Sequence, residues 1–131
     1  MSVTIHIWDE TIPRSCVRGN SITIPQTQTT PRELIRNRVR EEVERHNESL
    51  PEVFWGLVQP EDSERILNGF RMRVRRTLDW EVQFERACSS FVRNGFLLLV
   101  NGQQAIDLDE PIELRADSAV QFIKLVPLIG G

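Results

Sequence analysis

Phe96-Leu97-Leu98-Leu99-Val100-Asn101-Gly102-Gln103-Gln104-Ala105-Ile106 is the stretch on which the reading of the whole chain turns. Five apolar residues follow one another without a break, the pattern of a strand buried on both faces. Asn101-Gly102 then signals a tight hairpin, because both central residues of the favoured turn need φ > 0 and these two tolerate it. Gln103 to Ile106 reads as the partner strand. Working outward toward the C-terminus, Ile112 and Leu114 read as a short connecting segment pinned into the core. Ala116-Asp117-Ser118 turns the chain into a final strand, Val120 to Val126, and Pro127-Leu128-Ile129-Gly130-Gly131 reads as a flexible tail.

Toward the N-terminus, Phe84, Ala87, Cys88 and Phe91 recur at helical spacing from about Asp79, with Asn94-Gly95 as the C-terminal stop. Residues 48–77 read as a packed excursion carrying Val53-Phe54-Trp55, and both Trp55 and Trp80 are expected in the core. Pro60 is expected to open a short helix closed by Gly69. Phe70, Met72 and Val74 alternate with Arg71, Arg73 and Arg75, the pattern of an extra strand with one basic face. Earlier still lies a well-signalled helix. Thr30 caps it, Pro31 suits its first position and Glu33 completes a capping box. Ile35, Val39 and Val43 recur on one face, and the pattern ends near Asn47. Val3, Ile5 and Ile7 alternate with polar residues as a first strand. After a turn-prone stretch including Pro13, Gly19 and Asn20, Ser21-Ile22-Thr23-Ile24 is the returning strand. This order of elements is α+β, with helices on one face of a sheet.

Composition narrows the function. A chain of 131 residues fits one domain, and 40% hydrophobic with 27% charged residues is ordinary for a globular protein. The net charge of −3 offers no general attraction to nucleic acid or anionic membrane. No apolar run approaches the roughly 20 residues that span a bilayer, and an opening strand pattern in place of a signal peptide is expected. Two cysteines, Cys16 and Cys88, are too few for a disulfide scaffold. A cytoplasmic protein is expected.

With those residues in place, the order of elements and the ending resemble the ubiquitin-like β-grasp family. The resemblance rests on Val3-Thr4-Ile5-His6-Ile7, on the capped helix from Thr30, on the Val100-Asn101-Gly102 hairpin, and on the run from Val120 to Gly131. It spans residues 1–47 and 96–131. The ending is similar to that of prokaryotic sulfur carriers, while the longer chain is more similar to ubiquitin-like modifiers of bacterial operons encoding activating, conjugating and deubiquitinase-like enzymes. It implies one ubiquitin-like domain over 1–131, a mixed sheet of four to five strands packed on a helix, and a partly helical insertion at about 48–95.

The resemblance also implies a role. The Gly131 carboxylate would be adenylated by a ubiquitin-activating-like enzyme using ATP and magnesium, then passed through thioesters of a conjugating-like enzyme to amines of target proteins. A deubiquitinase-like peptidase would reverse it, and the bacterial setting would be antiviral defence. Gly130 and Gly131 are the conjugation site, and Ile129, Leu128, Pro127, Leu125 and Ile123 contact the activating enzyme. Phe96, Leu98 and Gln121 are further candidates for that surface, with the sequence leaving open which alternate face is buried. Glycine suits the site because without a Cβ its backbone can pass a narrow channel. With glycine already terminal, no processing protease is expected. The alternatives are a sulfur carrier using a Gly131 thiocarboxylate, and a non-conjugated interaction module. The chain itself is expected to be a substrate and no enzyme, with no cofactor of its own.

Rival sites are weak. His6 and His46 stand apart, without Cys or acid at metal-ligand spacing. Cys88 falls on an apolar helical stripe as a core residue, and Cys16 lies in a loop near Arg14 and Arg18. Asp107, Asp109, Glu110 and Glu113 read as a solvated acidic loop. Arg71, Arg73, Arg75 and Arg76 either meet an anionic partner or guard a solvated edge. Fifteen arginines accompany one lysine, Lys124, a pattern of either a GC-rich genome or a modifier that avoids acylating itself.

Overall fold

Val3, Ile5 and Ile7 belong to β1 (Val3–Ile12), which pairs antiparallel with β2 (Val17–Ile24) from Val3↔Ile24 to Glu10↔Val17. The computed structural model describes the backbone of residues 3–12, 17–24, 27–66 and 69–125, and side chains from residue 27 on. The hairpin loop is shorter than expected. Gly19 and Asn20 lie inside β2 opposite Trp8 and Ile7, because a long partner strand outweighs their local turn preference. Pro13 and Cys16 lie outside the described residues.

After β3 (Gln28–Thr29) comes α1 (Pro31–Ser49). Thr30 caps it as expected: the Glu33 backbone N–H donates to Thr30 Oγ1 at 3.3 Å. The reciprocal half of the capping box is replaced, since the Glu33 carboxylate accepts from Arg36. Leu34, Ile35, Val39 and Val43 are almost fully buried. Leu50 ends the helix in the left-handed region at φ 46°, its N–H donating to the His46 carbonyl.

The expected helix between Pro60 and Gly69 is not formed. Residues 51–72 instead make a small antiparallel sheet of β4 (Val53–Phe54), β5 (Ser63–Ile66) and β6 (Gly69–Met72), with β6 in the middle. Two local features favour the strands. Asp62 takes φ 53° and the Ser63 hydroxyl donates to the Pro60 carbonyl at 2.7 Å, so the chain turns there. Gly69 serves a close approach instead of a helix end: a Cβ on it would lie 2.9 Å from Trp55 Cε3. Trp55 covers Gly69 while remaining 48% exposed, so it is not a core residue, and Trp80 is half-buried. Phe70 and Met72 face inward as read, but the strand ends at Met72 and Val74 is exposed.

Asp79 caps α2 (Trp80–Val92), accepting from the Glu81 N–H at 2.9 Å. At the other end Asn94 takes φ 59°, the Asn94 N–H donates to the Phe91 carbonyl and the Gly95 N–H to that of Ser90. These are the paired bonds of a Schellman cap, with Asn as its left-handed residue. Ala87 and Phe91 are buried, whereas Cys88 is only half-buried.

β7 (Phe96–Val100) and β8 (Gln103–Gln104) form the expected tight hairpin, with Asn101 at φ 51° and Gly102 at φ 82°. β7 is buried on one face only: Phe96 and Leu98 are sealed, Leu97 and Leu99 half-buried. The partner strand is shorter than read, ending at Gln104. β9 (Ile112–Glu113) pairs with β3, and Leu114 is pinned into the core at 1% exposure. Last comes β10 (Ala119–Leu125).

The main sheet has the order β2-β1-β10-β7-β8. β10 runs parallel to β1 and antiparallel to β7, so the first and last strands are neighbours at its centre. Phe96, Leu98, Val120 and Phe122 project from it against Leu34, Ile35 and Val39 of α1 in one continuous cluster, which also takes in Phe54, Phe70 and Met72 of the small sheet. The protein is α+β. Among the described residues, no helix is long and apolar enough to cross a membrane.

Candidate functional site

Of the residues expected to carry function, those described lie on β10 and on the neighbouring β7. The backbone of β10 is hydrogen-bonded on both sides almost to its outgoing end: Lys124 is opposite Phe96 and Thr11, and Leu125 opposite Ile12. A central strand held by two neighbours is the most rigid support a sheet can give. Pro127, Leu128, Ile129, Gly130 and Gly131 lie outside the described residues, as does Val126.

Alternation divides the remaining candidates. Phe96 and Leu98 belong to the core face with Val120 and Phe122 and are 2% and 0% exposed, so they contribute nothing to an outer surface. Gln121, Ile123 and Leu125 occupy the opposite face. Ile123 is 8% exposed and Leu125 38% exposed, which leaves Leu125 the more accessible of the two at the root of the tail. Lys124 is half-buried, and it is not free of partners.

The rival candidates do not assemble into a site. Among the described residues no group of three His, Cys, Asp or Glu side chains is placed to hold a metal ion. Asp109 accepts two hydrogen bonds from Arg32 at 2.9 and 3.0 Å, which holds its carboxyl below the usual range. Two more carboxylates of the acidic run bond within the loop, Glu110 accepting from the Ile106 N–H and Asp107 from the Asp109 N–H, while Glu113 is exposed on β9. Burial pushes the Cys88 thiol up, against the pull of Arg32 and Arg36, so it is a poor nucleophile. Of the basic face, Arg71 sits between Glu52 at 3.7 Å and Glu64 at 3.9 Å, and Arg76 donates to the Glu61 carbonyl. The strand they were expected to share stops before Arg73, so Arg71, Arg73 and Arg75 do not form one stripe.

Two features escaped sequence reading. A groove opens beside the end of β10, between α2 and the small sheet. Its walls come from segments far apart in sequence, so no local pattern announces it. The second is a buried polar seam along α1. Arg38 is inside, with Nε 2.5 Å from Glu42 Oε1 and its guanidinium 4.6 Å from the Phe122 ring centre. Glu42 also accepts from the Leu57 N–H at 3.2 Å, linking α1 to the segment that follows β4. Spacing of four between Arg38 and Glu42 was visible, but it marks solvated helix faces just as well.

No protein-family model, no curated protein and no solved structure gives a significant match to this chain.

Proposed function

We propose that the chain is a ubiquitin-like modifier of the β-grasp type, whose Gly131 carboxylate is activated by a partner enzyme and transferred to amines. The observation that carries this reading is the position of β10. It lies between β1 and β7 and runs parallel to β1, with a hairpin on either side and α1 across one face. That arrangement supports the β-grasp assignment, and it makes the strand leading to Gly130-Gly131 a rigid base.

Gly131 lies six residues beyond Leu125, a separation of about 20 Å at full extension. A partner acting on Gly131 must therefore come close to the end of the sheet, where Leu125 is exposed. In the reaction the Gly131 carboxylate oxygen attacks the α-phosphorus of ATP and displaces pyrophosphate, giving an acyl-adenylate. A partner cysteine thiolate then displaces AMP to form a thioester, and a target amine displaces that thiolate to form an amide. The half-buried Lys124 is consistent with a modifier that spares its own amines.

Intact-mass measurement after incubation with a candidate activating enzyme and ATP tests the proposal. A thioester with the enzyme, lost when Gly130-Gly131 is deleted, is the expected result. Exchange of one oxygen for sulfur would assign the same carboxylate to sulfur transfer. An unchanged mass with every such enzyme, alongside normal folding, would leave an interaction module.

A further inference from the structure

The groove beside the end of β10 has a volume of about 790 Å³. Leu57 and Phe70, both buried, form part of its lining, and the exposed Val82 and Leu125 add apolar surface. Its charge departs from that of the chain. Arg65, Arg86, Arg93 and Lys124 line it against only Glu61 and Glu85, although the protein carries a net charge of −3.

The arginines of this groove differ from those of α1, which are all held by carboxylates. Arg32, Arg36, Arg38, Arg40, Arg45 and Arg71 all lie within 4.0 Å of a carboxylate. Among the described residues, none of Arg65, Arg86 and Arg93 does. Each is instead steadied by one contact. Arg86 Nε donates to the Gln59 carbonyl at 2.9 Å and Arg93 Nε to that of Ser89 at 3.3 Å, while the Arg65 guanidinium lies 5.7 Å from the Phe70 ring centre. A guanidinium has five N–H donors, so one such bond orients it and leaves others for an anion.

We propose that this groove docks an acidic peptide segment bearing aliphatic side chains, supplied by the enzyme that handles the tail. The peptide chemistry stands on the groove alone, whereas the identity of its owner rests on the modifier reading. Carboxylates of the segment pair with Arg65, Arg86 and Arg93, and an aliphatic side chain packs against Val82 and Leu125. Glu61 and Glu85 favour a peptide over nucleic acid, because a continuous phosphate backbone would meet them and a peptide with spaced charges need not. Because Leu125 lines the groove, an occupant would hold the enzyme within the six-residue reach of Gly131.

The test titrates the isotope-labelled full chain with a short synthetic peptide alternating aspartate and leucine. A lysine–leucine counterpart and a single-stranded oligonucleotide are run beside it. The expected result is shifts confined to Val82, Ser89, Ser90 and Leu125 amides and to the Arg86 and Arg93 Nε–H signals, weakening as salt rises. The double charge reversal R86E/R93E should weaken binding by at least ~tenfold, and R86Q/R93Q by less. Both positions are exposed, so both variants should keep the wild-type far-UV spectrum. Equal binding of the lysine peptide, tighter binding of the oligonucleotide at the same face, no shifts at millimolar peptide, or indifference to charge reversal would each overturn the proposal. Deleting Gly130-Gly131 should leave peptide binding intact while abolishing adenylation. A wild-type chain that binds the peptide but is never adenylated would retain the groove and remove the modifier reading.

Discussion

His46 is 4% exposed, its ring edge-on to Phe54 at 5.3 Å between centres, and among the described residues neither ring nitrogen makes a hydrogen bond of good geometry, the Arg76 backbone lying only near enough for a weak polar contact. Burial lowers its pKa below the usual 6.5, aided by the Arg76 guanidinium and opposed in part by the Arg76 backbone. The folded state therefore holds the neutral ring. As pH falls through about 6.5 the unfolded chain takes up a proton that the folded chain resists, so stability declines until the folded-state pKa is passed. Replacing His46 with Leu should remove that portion of the decline and raise stability near neutral pH by about 1 kcal/mol. Urea unfolding of both proteins at pH 7.5 and 5.5 reads the difference; parallel losses would show that His46 is not its source. Glu42 makes the opposite case. Its side chain is 11% exposed and that of its partner Arg38 6%. Glu42→Ala would take one charge-assisted hydrogen bond from a buried guanidinium and orphan the Leu57 N–H, at a cost of ~2 kcal/mol in the same assay. A loss below ~1 kcal/mol would mean that water or a shifted side chain takes over the carboxylate's role.

At the scale of elements, the hairpin at Asn101-Gly102 shows how a legible signal can carry an illegible second duty. The turn type follows from two residues that accept positive φ, and that much can be read directly. Asn101 also binds the start of β10 twice: its N–H donates to the Ala119 carbonyl at 2.8 Å, and its Oδ1 accepts from the Ala119 N–H at 2.9 Å. Asn101→Gly keeps the turn geometry and loses one side-chain bond, a cost of about 1 kcal/mol. Asn101→Ala loses the bond and adds left-handed strain, about 2 kcal/mol in all. Thermal denaturation should rank wild type above Gly above Ala, and an Ala variant equal to the Gly variant would refute the strain component. The helices teach a similar lesson. Ile35, Val39 and Val43 marked one face of α1, yet Arg36 lies over Phe84 and Arg40 over Trp80, at 4.9 and 5.2 Å from the ring centres. These two stacked pairs join α1 to α2 through residues that a hydrophobic pattern counts as solvent-facing.

At the scale of the molecule, periodic segments were legible and pairings between distant segments were not. Both helices and the last hairpin declare themselves within a dozen residues. By contrast, β5 and β6 exist because Ser63–Ile66 pairs with Gly69–Met72, a choice no local window encodes. The candidate site divides the same way: the tail is a motif in one line of sequence, and the groove is assembled from three separate regions. That assembly bears on cooperativity. The insertion between α1 and α2 is bonded to both helices. The Asn47 side chain exchanges two hydrogen bonds with the Leu78 backbone, at 2.9 and 2.8 Å. Glu42 holds Leu57, and Gln83 and Arg86 hold the Val58 and Gln59 carbonyls. Phe54, Phe70 and Met72 share one apolar cluster with Leu98 and Phe122. An inserted segment so tied cannot unfold alone without opening that cluster, so one two-state transition is expected. With Trp8 of β1 replaced by phenylalanine in every protein compared, the fluorescence of Trp55 and Trp80 reports on the inserted region, and far-UV ellipticity on the whole chain. Urea curves from the two probes should coincide. Asn47→Ala should move both midpoints down together, by about 2 kcal/mol for the two lost bonds. A fluorescence transition that precedes the ellipticity change would mean that the insertion is a separate unit resting on a smaller core.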